Sequence, residues 1–133
     1  MQTIIDKLAW IYIKDEHILS TRSKGKNICY IPGGKREENE SDHETLIREI
    51  KEELDIDLHP ETITFFGQFE TQAHGKPEGT LVRMLCYTAE FSGEIRAASE
   101  VEEVIWLRYT DRENSSPVDR LIFDFLKKKH LIV

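Results

Sequence analysis

The segment from residue 42 to residue 54 carries an apolar face and an acidic face at helical spacing, and it constrains the fold more than any other part of the chain. Ser41 or Asp42 can cap the start of a helix here, and Glu44 completes the spacing of a capping box with Ser41. At about 100° per residue, one arc about 100° wide holds the aliphatic side chains Leu46, Ile47, Ile50 and Leu54. The sequence therefore predicts an amphipathic helix that packs its aliphatic face on the core.

The acidic face of the same helix is made of Glu49, Glu52 and Glu53. These glutamates are neighbours at i,i+3 and i,i+4, where each like-charge pair costs roughly 0.2–0.5 kcal/mol if nothing neutralises it. Magnesium and manganese are hard cations that prefer clustered carboxylate oxygens. The spacing indicates either a divalent metal site or an exposed acidic face balanced by Arg48 and Lys51.

Apolar runs on both sides of the helix predict strands. The turn Lys14–Glu16 joins the first two of them, and the residues Pro32–Gly34 end the third. Pro117 begins a final helix with apolar side chains at helical spacing. Strands on both sides of a central helix predict an α/β (α+β) fold with a mixed sheet packed between helices. The predicted strands are residues 8–13, 17–21, 28–31, 63–71, 80–91 and 104–109.

The 133 residues are enough for one domain, predicted to span residues 1–133. A net charge of −7 argues against broad binding to nucleic acid or to an anionic membrane. No apolar run approaches the roughly 20 residues that span a bilayer, and we identify no signal peptide at the N-terminus. Cys29 and Cys86 are far apart in apolar segments, so we expect reduced thiols and a cytoplasmic location.

The spacing of the residues from Gly34 to Ile56 resembles the signature of the Nudix hydrolases. The matching positions are Gly34, Glu40, Arg48, Glu49, Ile50, Glu52, Glu53 and Ile56. The departure is Asp55, where the signature has glycine. Because aspartate tolerates the left-handed conformation better than most residues, we expect this departure to affect the turn rather than the chemistry. The entry Pro32–Lys35 and the chain length also resemble the family.

This resemblance implies a Nudix-type α/β/α sandwich and hydrolysis of a pyrophosphate bond in a nucleoside diphosphate linked to another moiety. The implied cofactor is Mg2+ or Mn2+. The candidate metal ligands are Glu49, Glu52 and Glu53, and the family pattern adds the backbone carbonyl of Gly33. The expected partner is a small nucleotide rather than a nucleic acid or a membrane, and both a monomer and a homodimer remain open.

Catalytic roles follow from the same resemblance. The identity of the general base varies within the family, and here we favour Glu49, with Glu53 second. Arg48 is expected to orient a carboxylate of the signature, with Glu40 as its partner. Gly34 and Glu40 are expected to be structural members of the motif.

Three charged residues outside the helix are further candidates. Some Nudix enzymes take another metal-binding carboxylate from a loop after the long strands, and Glu100 is the candidate here; the alternative is a solvated loop acid. Arg22 and Lys35 flank the glycine turn in sequence and are candidates for binding substrate phosphates. The alternative for both is an exposed surface cation.

The pocket for the substrate's base is less constrained by the sequence. Candidates for stacking on a base, or otherwise for the core, are Tyr12, Phe69, Trp106 and Phe123, and His74 is a candidate lid residue. Subgroups for ADP-ribose and for dinucleoside polyphosphates carry a proline or a tyrosine downstream of the signature, and residues 67–74 contain neither. This favours a MutT-like enzyme that converts a (d)NTP or damaged nucleotide to NMP and pyrophosphate. The alternatives are hydrolysis of ADP-ribose, nucleotide sugars or dinucleoside polyphosphates, and nucleotide sensing without hydrolysis.

Overall fold

The two α-helices cover opposite faces of the largest sheet. The computed structural model describes residues 3–73 and 75–133, and within them the helices are α1 (Asp42–Leu54) and α2 (Pro117–Lys128). The strands in chain order are β1 (Thr3–Trp10), β2 (Ile13–Lys14), β3 (His17–Ser23), β4 (Cys29–Tyr30), β5 (Gly33–Lys35), β6 (Asp57–Leu58), β7 (Thr64–Gln72), β8 (Thr80–Thr88), β9 (Phe91–Ser92) and β10 (Val101–Leu107).

Strand β1 lies inside a mixed sheet with the strand order β5–β1–β8–β7. It pairs in parallel with β8 and antiparallel with β5, and β7 joins β8 antiparallel. A second, antiparallel sheet has the order β10–β3–β2, with β4 also paired to β3, and β6 pairs with β9. The predicted fold class, an α/β/α sandwich with a mixed sheet between helices, is confirmed.

Side chains of β1 alternate between the two halves of the core, because successive residues of a strand point to opposite faces. Leu8 and Trp10 pack in the half that contains α1, whereas Ala9 packs in the half that contains α2. Helix α1 buries Leu46, Ile50 and Leu54 there. Helix α2 buries Val118, Ile122, Phe123 and Leu126 in the other half. Strand β1 is therefore packed against core residues on both of its faces.

Helix α1 has the predicted bounds and the predicted caps. Ser41 is the N-cap, and its side chain accepts a hydrogen bond from the Glu44 N–H in a complete capping box. Asp55 ends the helix in the left-handed conformation, at φ 56° and ψ 39°, with its N–H donating to the Lys51 carbonyl. The left-handed residue expected at the position of the missing glycine is confirmed.

The predicted strands differ from the structure in their bounds, and three of them differ by three residues or more at one end. The first strand, predicted at 8–13, begins already at Thr3, where it pairs with β8, and ends at Trp10. The chain then crosses to the second sheet, where Ile13–Lys14 pairs with β3. The run 80–91 ends at Thr88, since Phe91–Ser92 pairs with β6. The last strand begins at Val101 and ends at Leu107, earlier at both ends than predicted. Each boundary is set by a partner strand that is distant in sequence.

The remaining sequence-based expectations concern the cysteines, the candidate lid residue and membrane-spanning segments. Cys29 and Cys86 are both buried free thiols. His74, the candidate lid residue, lies outside the described residues. In the part of the chain that the structure describes, neither helix is long and apolar enough to cross a membrane.

Candidate active site

The glycine turn at the start of β5 brings the backbone into contact with α1. Gly33 has φ 146°, and a Cβ there would lie 1.9 Å from the Leu8 carbonyl oxygen, so only glycine fits. Its N–H donates to Oε1 of Glu53 at 2.8 Å. A Cβ on Gly34 would lie 2.5–2.7 Å from the Glu49 carboxylate. The two glycines therefore allow two glutamates of α1 to pack directly against the turn.

Glu53 is the most deeply buried glutamate of the acidic face. Burial raises the pKa of its carboxyl group to about 7, against the opposing effect of the Gly33 N–H. Negative charge on Glu49 and Glu52 raises the pKa further, and the positive charge of Lys7 lowers it. Charge on Glu53 is therefore costly unless a cation is bound nearby.

Glu49 and Glu52 differ in exposure. The Glu49 side chain is 17% exposed, and its Oε1 accepts a hydrogen bond from Nη1 of Arg48 at 2.9 Å. Burial raises the pKa of the Glu49 carboxyl even though Arg48 favours the charged form. The Glu52 side chain is 52% exposed, with Oε1 3.6 Å from the same Nη1. Arg48 thus fixes one glutamate firmly and leaves the other largely solvated.

Arg48 and Glu40 form the pair that the sequence predicts. Glu40 accepts hydrogen bonds from Nε of Arg48 at 2.7 Å and from Nη2 at 2.9 Å, a bidentate geometry. The Glu37 N–H and the Thr45 hydroxyl also donate to Oε1 of Glu40. These donors, Arg48 foremost, lower the pKa of Glu40 to about 2, and the pair raises the pKa of Arg48. Glu40 therefore holds Arg48 in the position from which it contacts Glu49.

The donor set of α1 has the chemistry that a hard divalent cation requires. Glu49, Glu52 and Glu53 offer carboxylate oxygens, and two of them are partly or largely removed from water. Among the described residues, no three His, Cys, Asp or Glu side chains form a group already placed to hold a metal ion. Instead, Glu53 accepts a hydrogen bond from the Gly33 N–H, and Glu49 accepts one from Arg48. The residues fit such a cation in type and charge.

Two spaces with shared lining residues lie near the glycine turn, and the first of them reaches Glu53. The first, which we call the glycine-turn cleft, has a volume of about 260 Å³ and is lined by Lys7, Leu8, Thr21, Ser23, Lys26, Tyr30, Ile31, Gly33, Gly34, Glu53 and Met84. The second, the apolar cavity, has a volume of about 170 Å³ and is lined by Ile5, Lys7, Ile28, Tyr30, Lys35, Thr71, Gln72, Ala73, Lys76, Val82, Met84, Ser116, Pro117 and Val118. Both spaces are lined by Lys7, Tyr30 and Met84, so they adjoin each other.

The other charged candidates lie in different settings. Lys35 lines the apolar cavity, and its carbonyl oxygen accepts a hydrogen bond from Arg48. Arg22 is bound to two glutamates of β10, with Nη1 2.6 Å from Glu102 and Nη2 2.7 Å from Glu103. Glu100 is exposed in the turn before β10. Lys35 therefore lines the cavity, whereas Arg22 is ion-paired with Glu102 and Glu103.

The loop that carries Glu100 is attached to the end of α1. The Ala98 N–H donates to the Glu53 carbonyl at 3.0 Å, and the Arg96 N–H donates to the Leu54 carbonyl at 3.0 Å. Among the described residues, the Glu100 carboxylate has no ion pair or hydrogen bond. Its metal-binding role remains a prediction, on a loop anchored to the glutamate helix.

The four aromatic candidates for the base pocket lie away from these two spaces. Phe123 is fully buried in the core, and Phe69 packs edge-on against Phe125 at 5.6 Å between ring centroids. Tyr12 stacks on Trp10 at 4.9 Å, and Trp106 meets Tyr12 edge-on. Among the described residues, the aromatic side chain that lines the cleft and the cavity is Tyr30.

Two residues near the site were missed by the sequence-based reasoning, Lys7 and Asp119. Lys7 precedes the predicted start of the first strand. Its position directly before the apolar run is the sequence signal that could have indicated a lysine at the edge of the core. Asp119 is a polar residue within an apolar helical pattern. Ile122, Phe123 and Leu126 follow it at i+3, i+4 and i+7, and this spacing places Asp119 on the buried face of α2. Leu121, one of the apolar side chains at helical spacing that predict the final helix, is exposed.

The match to a family model decides the identity of the chain. The model of the NUDIX domain matches residues 7–125. The chain belongs to the Nudix family. It is accordingly a Nudix pyrophosphohydrolase, an enzyme that hydrolyses a pyrophosphate bond. No curated protein matches the sequence significantly.

Several solved structures have the same fold as this chain. The E. coli ORF135 protein is 22% identical, with a TM-score of 0.72 over 95% of this chain and 92% of that protein. A MutT NUDIX hydrolase from Burkholderia pseudomallei is 22% identical, with a TM-score of 0.74 over 92% and 98%. The MutT protein of Methanosarcina mazei Go1 is 17% identical, with a TM-score of 0.74 over 97% and 96%. At these identities the likeness shows the shared Nudix fold.

Proposed function

We propose that this Nudix protein hydrolyses a (d)NTP or a damaged nucleotide to NMP and pyrophosphate with Mg2+ or Mn2+ as cofactor. The observation that carries the proposal is the position of Glu53, whose carboxylate lines a cleft that adjoins a mainly apolar cavity. Such a pair of spaces suits a molecule with a charged anhydride at one end and a base at the other. The buried free cysteines agree with the reducing cytoplasm as its compartment.

The cofactor would be held by Glu49, Glu52 and Glu53, with Glu100 and the Gly33 carbonyl as further candidate ligands. A bound divalent cation supplies charge neutralisation of the phosphates and activation of water. The protein's own contribution begins with Arg48, which orients the Glu49 carboxylate through a 2.9 Å hydrogen bond. The Gly33 N–H fixes Glu53 in the same way at 2.8 Å.

In this proposal Glu49 is the general base that accepts a proton from the attacking water, and Glu53 is the second candidate. Lys35, whose carbonyl oxygen accepts a hydrogen bond from Arg48 beside the glutamates, binds a substrate phosphate. The same role for Arg22 requires that its guanidinium leave Glu102 and Glu103, because both are bound to it at less than 3 Å. Of the two cations, the geometry favours Lys35.

The test is a hydrolysis screen over nucleoside triphosphates, damaged nucleotides, nucleotide sugars, ADP-ribose, dinucleoside polyphosphates and capped RNA ends. Each substrate is assayed with magnesium, with manganese and with EDTA, and products are separated by chromatography. The proposal expects NMP and pyrophosphate from a triphosphate, and no turnover in EDTA. Preferred cleavage of ADP-ribose or a dinucleoside polyphosphate would contradict the substrate assignment, and tight binding without cleavage of any substrate would contradict the catalytic one.

A further inference from the structure

Lys7 occupies the junction between the glycine-turn cleft and the apolar cavity. It lies on β1 one residue before Leu8 and is paired in register with Lys35 of β5. Because strand residues alternate, its side chain shares a face with Ala9, on the side of α2. Lys7 lines both spaces, whereas Glu53 lines the cleft and Val118 lines the cavity.

The ammonium group of Lys7 is not engaged by the protein. Among residues 3–73 and 75–133, it takes part in no side-chain hydrogen bond and has no carboxylate oxygen within 4.0 Å. A lysine ammonium carries three donors and no acceptor, and it binds phosphate oxygens as a compact point charge. A half-buried ammonium in a cleft therefore has the chemistry of an anion site.

The charges around Lys7 explain how a cation is kept in this position. Burial lowers the pKa of Lys7, and the neighbouring Lys35 lowers it as well. Asp119 and Glu53 act in the opposite direction, Asp119 more strongly. An anionic ligand beside Lys7 would therefore stabilise its charged form and offset the cost of burial.

Asp119 gives a second, independent indication that this region is built for a ligand. It is fully buried on α2, and its Oδ2 accepts a hydrogen bond from the Ile31 N–H at 2.9 Å. Its Oδ1 is buried without a partner among the described residues. The Ser116 hydroxyl is near enough to favour the charged carboxyl, but no hydrogen bond of normal geometry joins them. Ser116 lines the cavity together with Lys7, and its hydroxyl is buried without a partner among the described residues.

We propose that the ammonium of Lys7 binds the phosphoryl group that is linked to the nucleoside. The inference rests on the proposed function, in which the anhydride lies at Glu53 and the base lies in the apolar cavity. A substrate in that orientation passes its nucleoside-linked phosphoryl group across the junction. Lys7 is then a positioning residue that sets the register of the substrate relative to the α1 glutamates. The competing account is that Lys7 only neutralises Asp119.

The test is binding of AMP, GMP, CMP and UMP, and of the four matching nucleosides, to 15N-labelled protein without metal. The variants are Lys7→Met and Lys7→Arg, with Lys14→Met as the control for loss of one exposed lysine. Lys7→Met is expected to weaken the best-bound monophosphate by about tenfold or more while its nucleoside binds as before. Lys7→Arg is expected to recover part of the loss, and Lys14→Met to behave as wild type.

A wild-type measurement guards against misfolding of the variants. The 15N resonance of the Lys7 ammonium is expected to shift on addition of the monophosphate and to stay in place with the nucleoside. Equal monophosphate affinity in wild type and Lys7→Met would overturn the inference, as would equal affinity of wild type for monophosphate and nucleoside. Hydrolysis by wild type is scored separately in the substrate screen, so failure of Lys7 and failure of the proposed activity are distinguishable.

Discussion

Two acidic side chains, Glu40 beside α1 and Asp119 on α2, are held in opposite ways. On α1, Arg48 gives Glu40 two hydrogen bonds and lowers its pKa to about 2. On α2, Asp119 is fully buried, and burial raises its pKa to about 7 despite the Ile31 N–H. Glu53, at the other end of α1, resembles Asp119 more than Glu40 in this respect. The comparison separates a carboxylate that is paired with an arginine from carboxylates that are buried without such a partner.

The largest effect should come from Glu53→Gln. We expect hydrolysis to fall by about 10³-fold or more, because several kcal/mol of transition-state stabilisation by the metal is lost. The fold should survive, since the glutamine oxygen can still accept the Gly33 N–H. The measurement is the rate of nucleotide hydrolysis together with the melting temperature. Glu61→Gln, a change of an exposed glutamate, is the matched control; equal rates in both variants would contradict the assignment.

The next effect should come from Arg48→Gln. Loss of the guanidinium leaves Glu40 and Glu49 without their shared donor, and residues that orient metal ligands typically contribute 10–100-fold to affinity or activity. We therefore expect a rate lower by about tenfold and a higher magnesium requirement. Titration of the rate with magnesium measures both. Arg48→Lys keeps the charge without the bidentate fork and should be intermediate; wild-type behaviour of Arg48→Gln would contradict the positioning role.

Asp119 should make stability depend on pH. Its pKa is raised from 3.8 to about 7 in the folded protein, so the folded state binds the proton more tightly than the unfolded state. The contribution is fully present below pH 3.8 and is lost as pH rises through about 7. The slope is at most about 1.4 kcal/mol per pH unit.

Asp119→Asn removes this titration while an amide oxygen can still accept the Ile31 N–H. Urea unfolding of metal-free protein between pH 5 and 7 should therefore show a free energy of unfolding that falls less steeply in the variant than in wild type. Glu53, whose pKa is also raised, titrates in both proteins and cancels in the comparison. Parallel curves would show that Asp119 does not bind a proton in this range.

The smallest effect should come from Asp55→Gly at the end of α1. The residue has φ 56°, where glycine is less strained, and we expect a gain of about 0.5 kcal/mol in the free energy of unfolding. The exposed ion pairs of Asp55 with Lys51 and Arg96 contribute little at such distances. Chemical unfolding at neutral pH measures the change, with Asp55→Asn as the control. A loss of stability in Asp55→Gly would show that the ion pairs outweigh the backbone strain.

The α1 side of the comparison could be predicted from the sequence because its determinants are local. The cap at Ser41, the aliphatic stripe and the left-handed residue at Asp55 are all encoded within one helix. The contact of Arg48 with Glu40 also follows from their spacing and from the resemblance to the family. A rigid helix with known ends fixes which side chains share a face.

The α2 side could not be predicted in the same way because its determinants are contacts between distant segments. Lys7 lies at the glycine-turn cleft because β1 pairs with β5 and β8, which a single strand does not reveal. The Asp119 carboxylate is held by a hydrogen bond from the Ile31 N–H, 88 residues earlier in the chain. The positions of the aromatic candidates also depend on distant contacts, since Tyr12 and Trp106 pack on each other away from the cleft.

The central claim is that the glutamates of α1 hold a divalent metal at the glycine turn. Manganese binding to nucleotide-free protein, followed by electron paramagnetic resonance, tests it most directly. The account predicts that wild type and Glu61→Gln bind manganese with the same affinity, and that Glu53→Gln binds it at least about tenfold more weakly. Equal manganese affinity in wild type and Glu53→Gln would contradict the claim.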